Sequence, residues 1–259
     1  MMKYTVHGRQ PYSILKKADE VKVQYQDRDR ILDFIEKIPD KTVILDIPVQ
    51  ETQLPWETLL MYKDKLDFVL AVHNLHFAKV FAEQGFKWYW PYPLVSFDEL
   101  REVAALGPCY ILLGVPLCFS LDKVKAITDI PVRLTANVAY EPYIPRENGI
   151  TGRYIRPEDV VKYEQYVAAL EFIEPDLGKE ATLLHVYKDN AEWPGNLNFL
   201  IKGLDYDVSN RALPEDFADR RMVCGHRCKE NGRCKFCDIS FRFSNAIRKE
   251  YYRRLKEDN

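Results

Sequence analysis

The fold class that this sequence predicts is a (β/α)8 barrel, α/β and TIM-like, and three observations predict it. Short β-rich apolar runs recur along the chain, each followed by a segment of helical period. The 259 residues, 47% of them hydrophobic, are enough to bury one core of barrel size. Only 11 glycines occur and no G-x-G-x-x-G follows the first run, so the dinucleotide-binding form of an open doubly wound sheet lacks its phosphate turn. Repeated strand–helix alternation implies a parallel sheet buried on both faces. Eight units of about 25 residues suit closure into a barrel. The open sheet stays as the alternative.

After a short N-terminal piece containing His7 and Gly8, eight runs are expected as strands: 20–25, 42–47, 67–73, 86–90, 109–115, 132–138, 169–174 and 207–210. Between them apolar residues recur at three and four, as in Ile31, Leu32, Ile35 and Ile38, or Leu59, Leu60 and Tyr62. Ser96 with Glu99 forms a capping box ahead of Leu100 and Val103. Ser120 caps the next helix, and Pro157 with Glu158 and Asp159 opens another. Pro194-Gly195 interrupts the helical region after the seventh run, beside Trp193 and Asn196, and reads as structural. No low-complexity linker divides the chain. It is read as a barrel domain over 1–222 with a cysteine segment and terminal helix over 223–259 packed on it.

Four of the six cysteines fall at Cys224, Cys228, Cys234 and Cys237, in the pattern C-x3-C-x5-C-x2-C. Thiolates this close, separated by Gly, Asn, Lys and Arg, cannot build a hydrophobic core but can point at one ion or cluster. Disulfides belong mainly to oxidising compartments and to small secreted domains. The expectation is a metal site holding zinc or a 4Fe–4S cluster, since both accept four cysteines. His226 is either a further ligand or a neighbouring donor. Cys109 and Cys118 lie in or beside an apolar strand as small hydrophobes, outside the site.

With 37 basic and 39 acidic residues, the near-neutral charge argues against a surface that coats nucleic acid or membrane. The distribution is uneven: residues 211–259 carry 13 Lys and Arg against 8 Asp and Glu. That basic end suits a nucleic-acid or acidic-protein contact, or else a solvated helix face. No run of 18 apolar residues occurs, and the start lacks a basic-then-apolar signal, so no membrane contact and a cytoplasmic, reducing compartment are expected.

Barrel chemistry is placed at the carboxyl ends of the strands. Reading those ends yields Tyr25, Asp46, His73 with Asn74, Tyr92, Asn137, Glu174, and Asn210 with Arg211. Asp46, His73, Asn137 and Glu174 are taken as the catalytic candidates. Alternation in 170–174 sets Glu174 opposite Glu171, so one of the two glutamates points inward, where burial suits it to acid–base work. A carboxylate paired with Arg133 or Arg153 is the structural alternative. His73 is a proton shuttle, a ligand or a satisfied structural histidine. The long segment 139–155, with Tyr140, Tyr143, Arg146, Arg153 and Tyr154, suits a lid over an anionic or planar ligand, or a packed structural loop.

On the barrel pattern, the stretch Ala18-Asp19-Glu20-Val21-Lys22-Val23, the strand 170–174 and the four late cysteines, the chain resembles the collagenase-like peptidase family U32 across about residues 18–238. The resemblance implies an iron–sulfur protein that assists oxygen-independent hydroxylation of quinone precursors or RNA bases, or a peptidase. Only Cys224, Cys228, Cys234 and Cys237 carry over, as implied cluster ligands. Glu174 is followed by Pro175-Asp176-Leu177-Gly178 where that family has His-Gly-Ala and a cysteine.

Three functions follow as expectations. The first is a metal-containing barrel enzyme that modifies RNA or a small aromatic substrate. The second is a non-catalytic, zinc-stapled barrel that binds a partner through its basic end. The third is a metal-independent hydrolase or lyase.

Overall fold

In the computed structural model the described residues are 2–48, 55–94, 97–113, 121–136, 155–172, 179–200, 210–212, 215–216 and 218–219. Eight parallel strands close into a barrel in chain order, each pairing with the next and the last with the first. They are β1 (Lys3–His7), β2 (Glu20–Gln24), β3 (Thr42–Ile47), β4 (Asp67–Val72), β5 (Lys87–Leu94), β6 (Tyr110–Leu113), β7 (Val132–Thr135) and β8 (Val167–Glu171). Each is followed by a helix: α1 (Tyr12–Leu15), α2 (Arg30–Lys37), α3 (Trp56–Lys65), α4 (Leu75–Glu83), α5 (Phe97–Ala105), α6 (Leu121–Ile127), α7 (Val160–Tyr163) and α8 (Glu180–Lys188). The (β/α)8 class is therefore the fold of this chain.

The numbering of strands differs from the expectation by one. β1 lies in what reads as an N-terminal piece, and the run expected first is β2. In Lys3-Tyr4-Thr5-Val6-His7 only Tyr4 and Val6 join the outer core, so its hydrophobic signal is weak. At the other end, Asn210 opens a short 3-10 turn, Asn210–Ala212, and the rest of the expected last strand lies outside the described residues. β8 pairs with β1 through Lys3 opposite Ala169 and Thr5 opposite Glu171, so closure needs no later strand.

Alternation along the strands sorts the side chains into two sets. Outward go Val21 and Val23, Val43, Leu45 and Ile47, Phe68, Leu70 and Val72, and Ile111 and Leu113, which form one core with the helices. Ile31 and Phe34 of α2, Leu59 and Tyr62 of α3, and Ala78 and Phe81 of α4 supply the facing side. Each such fully buried large side chain is worth about 1.5–3 kcal/mol. Inward among the described residues, Ile44, Val69, Ala71, Tyr89 and Leu112 form a small apolar cluster. Thr5, Glu20, Lys22, Arg133 and Glu171 are buried polar residues of the same interior, which is unusual for a barrel axis otherwise filled by branched apolar residues.

Gly8 follows β1, where its N–H donates to the Lys22 carbonyl at 2.7 Å. A Cβ there would lie 2.9 Å from Val23 Cγ2, so the close approach of this turn to β2 requires glycine.

Candidate active site at the barrel mouth

β2 reads Glu20-Val21-Lys22-Val23-Gln24, with valines outward and the three polar residues inward. Strand register brings Gln24 level with Asp46 and Asp46 level with Ala71, so the carboxyl ends of β2, β3 and β4 meet at one height. Lys22 Nζ donates to Glu171 Oε1 at 2.6 Å and lies 3.6 Å from Asp46 Oδ2. Tyr89 Oη donates to the other Glu171 oxygen at 2.9 Å. Gln24 Nε2 donates to Asp46 Oδ2 at 3.3 Å, and His73 Nε2 meets Asp46 Oδ1. Asp46 thus ties together a histidine, an amide and an ammonium.

Deeper in the barrel, Arg133 and Glu20 are paired at 2.6 Å with neither side chain exposed. Thr5 Oγ1 donates to Glu20 Oε2 at 2.8 Å and accepts from Arg133 Nη2. The guanidinium lies between two rings, 5.2 Å from the Tyr89 centroid and 5.1 Å from that of Tyr110. Its Nε is 4.0 Å from Glu171, so Arg133 links the axial pair to the mouth. From the amino-terminal opening Lys3 reaches Glu20 at 3.4 Å.

Burial works against the charges of Lys22, Glu171 and Asp46, yet their partners overcome it. Desolvation would lower Lys22, but Glu171, Tyr89 and Asp46 raise it above the ordinary lysine range, so it is an ammonium. Desolvation would raise Glu171, but Lys22 and Arg133 bring it below the usual carboxylate range. Asp46 is lowered likewise, burial being outweighed by the His73 contact, Lys22 and Gln24. Burial and the neighbouring Glu171 push Tyr89 up, so its phenol stays protonated and donates. An ionised Asp46 only accepts, which assigns the proton between the two residues to His73 Nε2.

The arrangement can orient an imidazole for proton transfer and present an ammonium to developing negative charge. Of the candidates read from sequence, Asp46 and His73 come together. Of the two glutamates in 170–174, Glu171 is the inward one; Glu174 lies outside the described residues, as do Asn137, Arg153, Cys118, the segment 139–154 and the side chain of Tyr92. Arg133 does bind carboxylates, those of Glu20 and Glu171.

Asn74 caps α4, its side chain accepting from the His76 N–H at 2.8 Å. Tyr25 stacks under Arg28 at 4.5 Å. Asn210 donates to the Trp193 carbonyl at 3.1 Å, and Arg211 pairs with Glu192 at 3.3 Å, so both belong to the segment after α8. Trp193 stacks on Phe199 at 5.3 Å and donates to the Asn196 carbonyl, in keeping with a structural turn. The Cys109 thiol donates to the Trp88 carbonyl at 2.8 Å, and burial pushes it up to about 12, an inert thiol.

Cys224, Cys228, Cys234 and Cys237, with His226, lie outside the described residues. Among the described residues no group of three or more His, Cys, Asp or Glu could hold a metal ion. The fit to zinc or to a 4Fe–4S cluster thus stands on donor chemistry: four thiolates suit either. Among the described residues no helix is long and apolar enough to cross a membrane.

Lys22, Tyr89 and Glu20 were absent from the residues weighed from sequence, whereas Glu171 and Arg133 were weighed as an inward glutamate and its pairing partner. A signal for Lys22 and Glu20 exists in β2, where a strand buried on both faces alternates Glu, Val, Lys, Val, Gln. Such a strand must bring its charges to partners inside the barrel.

No family model matches the sequence, and no curated protein matches it. Among solved structures the chain is similar to the U32 peptidase Mk0906, at TM-score 0.46 and 11% identity over 68% of this chain and 94% of that one. It is similar to thiamine phosphate pyrophosphorylase from Pyrococcus furiosus, at TM-score 0.44 and 12% identity over 73% and 96%. It is also similar to an M276A mutant of FabK from Thermotoga maritima, at TM-score 0.42 and 15% identity over 70% and 63%. At these identities the likeness is one of fold alone.

Proposed function

We propose that this chain is an enzyme that works by acid–base chemistry at the carboxyl mouth of its barrel, on a small molecule or an RNA base. His73, oriented by Asp46, moves the proton. Lys22, kept charged by Glu171 and Asp46, steadies the negative charge that the transfer develops. The observation that supports this is the sharing of one carboxylate: Asp46 holds His73 on Oδ1 and lies 3.6 Å from Lys22 on Oδ2, at the end of the barrel where such enzymes work. The deeper pair of Arg133 and Glu20, by contrast, is wholly sealed from water.

The test is turnover of a panel of esters, carbonyl compounds, nucleosides and a short single-stranded RNA, followed by NMR. The expected result is conversion of at least one compound, with the rate falling roughly 10²–10⁴-fold in His73→Asn. An equal rate in that variant, or an inert wild type, would leave the non-catalytic barrel as the reading.

The four cysteines add a metal centre to this proposal. When bound, zinc supplies a structural or Lewis-acid centre, and a 4Fe–4S cluster supplies the electron transfer that oxygen-independent hydroxylation needs. Cys224, Cys228, Cys234 and Cys237 would hold it. Protein purified without oxygen is expected to carry either one zinc or about four iron and four sulfide per chain, the latter with a brown colour. Metal analysis of Cys234→Ser/Cys237→Ser should then show loss of the metal, and retention would remove these two as ligands.

A further inference from the structure

We infer that the substrate presents an uncharged carbonyl with an adjacent C–H bond to the mouth, and that the reaction passes through its enolate. This rests on the acid–base reading above and narrows it to a reaction class.

The first support is charge. Among the described residues the mouth sets one cation, Lys22, against two carboxylates, Glu171 and Asp46, while Arg133 and Glu20 pair with each other deeper in the barrel. Lys3 approaches Glu20 from the opposite opening and does not reach the mouth. A substrate arriving with a formed anion would meet an excess of negative charge. A neutral carbonyl adds none, and proton transfer within the site leaves its total charge unchanged.

The second support is donor capacity. An ammonium has three N–H donors, and among the described residues Lys22 makes one hydrogen bond, to Glu171 at 2.6 Å. Asp46 at 3.6 Å is an ion-pair neighbour beyond hydrogen-bonding distance. Lys22 is raised by these carboxylates, so it offers N–H to an oxygen and does not attack as an amine. The third support is the packing beneath: Ile44, Val69, Ala71 and Leu112 form a buried apolar cluster with Tyr89, Ile44 level with Lys22 and Ala71 level with Asp46 in strand register, which suits an uncharged group.

In the step itself the C–H bond beside the carbonyl breaks and its proton goes to the His73 imidazole. The electron pair of that bond forms the C=C bond while the carbonyl π pair moves onto oxygen. The enolate oxygen accepts N–H bonds from Lys22, and the imidazolium pairs with Asp46. Return of the proton, or of a deuteron in heavy water, restores the carbonyl, so no oxidant or co-reactant is used.

The experiment is deuterium exchange in D2O, followed by proton NMR, with hydroxyacetone and methyl pyruvate as neutral probes and pyruvate as the charged one. Wild-type protein is expected to exchange the neutral probes roughly tenfold or more above buffer, and pyruvate more slowly. Lys22→Arg, which keeps the positive charge, and His73→Asn should both return exchange to the buffer rate, with circular dichroism checking their folding. Should Lys22→Arg unfold, His73→Asn carries the comparison alone. Wild-type exchange at the buffer rate, faster exchange of pyruvate than of methyl pyruvate, or full activity in His73→Asn would overturn the inference. Were exchange absent while His73-dependent turnover of another panel compound persisted, the acid–base reading would stand and the enolate reading would fall.

Discussion

Arg133→Met is expected to lower the stability of this protein by about 3–5 kcal/mol, measured as the shift in urea midpoint at neutral pH. The guanidinium and the Glu20 carboxylate have no exposure to water, and the pair is closed at 2.6 Å. Removing the cation leaves Glu20 charged in the barrel axis with Thr5 as its remaining close donor, apart from Lys3 at 3.4 Å. Domains are stable by only about 5–15 kcal/mol, so a loss of this size is a large part of the whole. Arg133→Met combined with Glu20→Gln should recover much of it, because the uncompensated charge is then gone. Arg133→Lys should recover less, since an ammonium cannot replace a flat guanidinium between Tyr89 and Tyr110. An unmoved midpoint in Arg133→Met would mean that the axial pair is not formed.

Lys22→Met is expected to cost about 3 kcal/mol and to move the acid limb of the stability curve to higher pH. The signs follow from the directions of the shifts. Asp46 and Glu171 are lowered from 3.8 and 4.5, so the stability they contribute is complete above those values and is lost as pH falls through their folded values. Lys22 is raised from 10.5, so its contribution is complete below that value and is lost as pH rises through its folded value. Wild-type protein should therefore hold a plateau between these limits. Without the ammonium, Asp46 and Glu171 lose a cation that keeps them ionised, and protonation begins at higher pH. Asp46 keeps His73 and Gln24, and Glu171 keeps Tyr89, so the cost stays at the lower end for a broken buried pair. Melting temperature against pH checks both features, and superimposable acid limbs would show that Lys22 does not pair with these carboxylates.

Much of the barrel was legible along the chain because strand–helix rhythm is a local property. Seven of the eight expected runs overlap observed strands, β2 to β8. β1 escaped because three of its five residues, Lys3, Thr5 and His7, turn inward to a polar interior, and a strand without an apolar stripe looks like a coil. Asp46 and His73 were legible as strand-end residues. Arg133 was legible as a carboxylate partner, but Tyr89 was not, since it sits inside a strand whose neighbouring residues read as core.

By itself the sequence determined the class of fold, the strand-end position of Asp46 and His73, and the clustering of four cysteines. Tertiary structure alone decided which polar residues face one another. Lys22 and Glu171 are 149 positions apart, and nothing local in either strand names the other. Alternation tells which face a side chain takes, but not what stands across the axis. Closing β8 against β1 sets that, and the cost of burying an unpaired charge makes the partners across the axis opposite in sign.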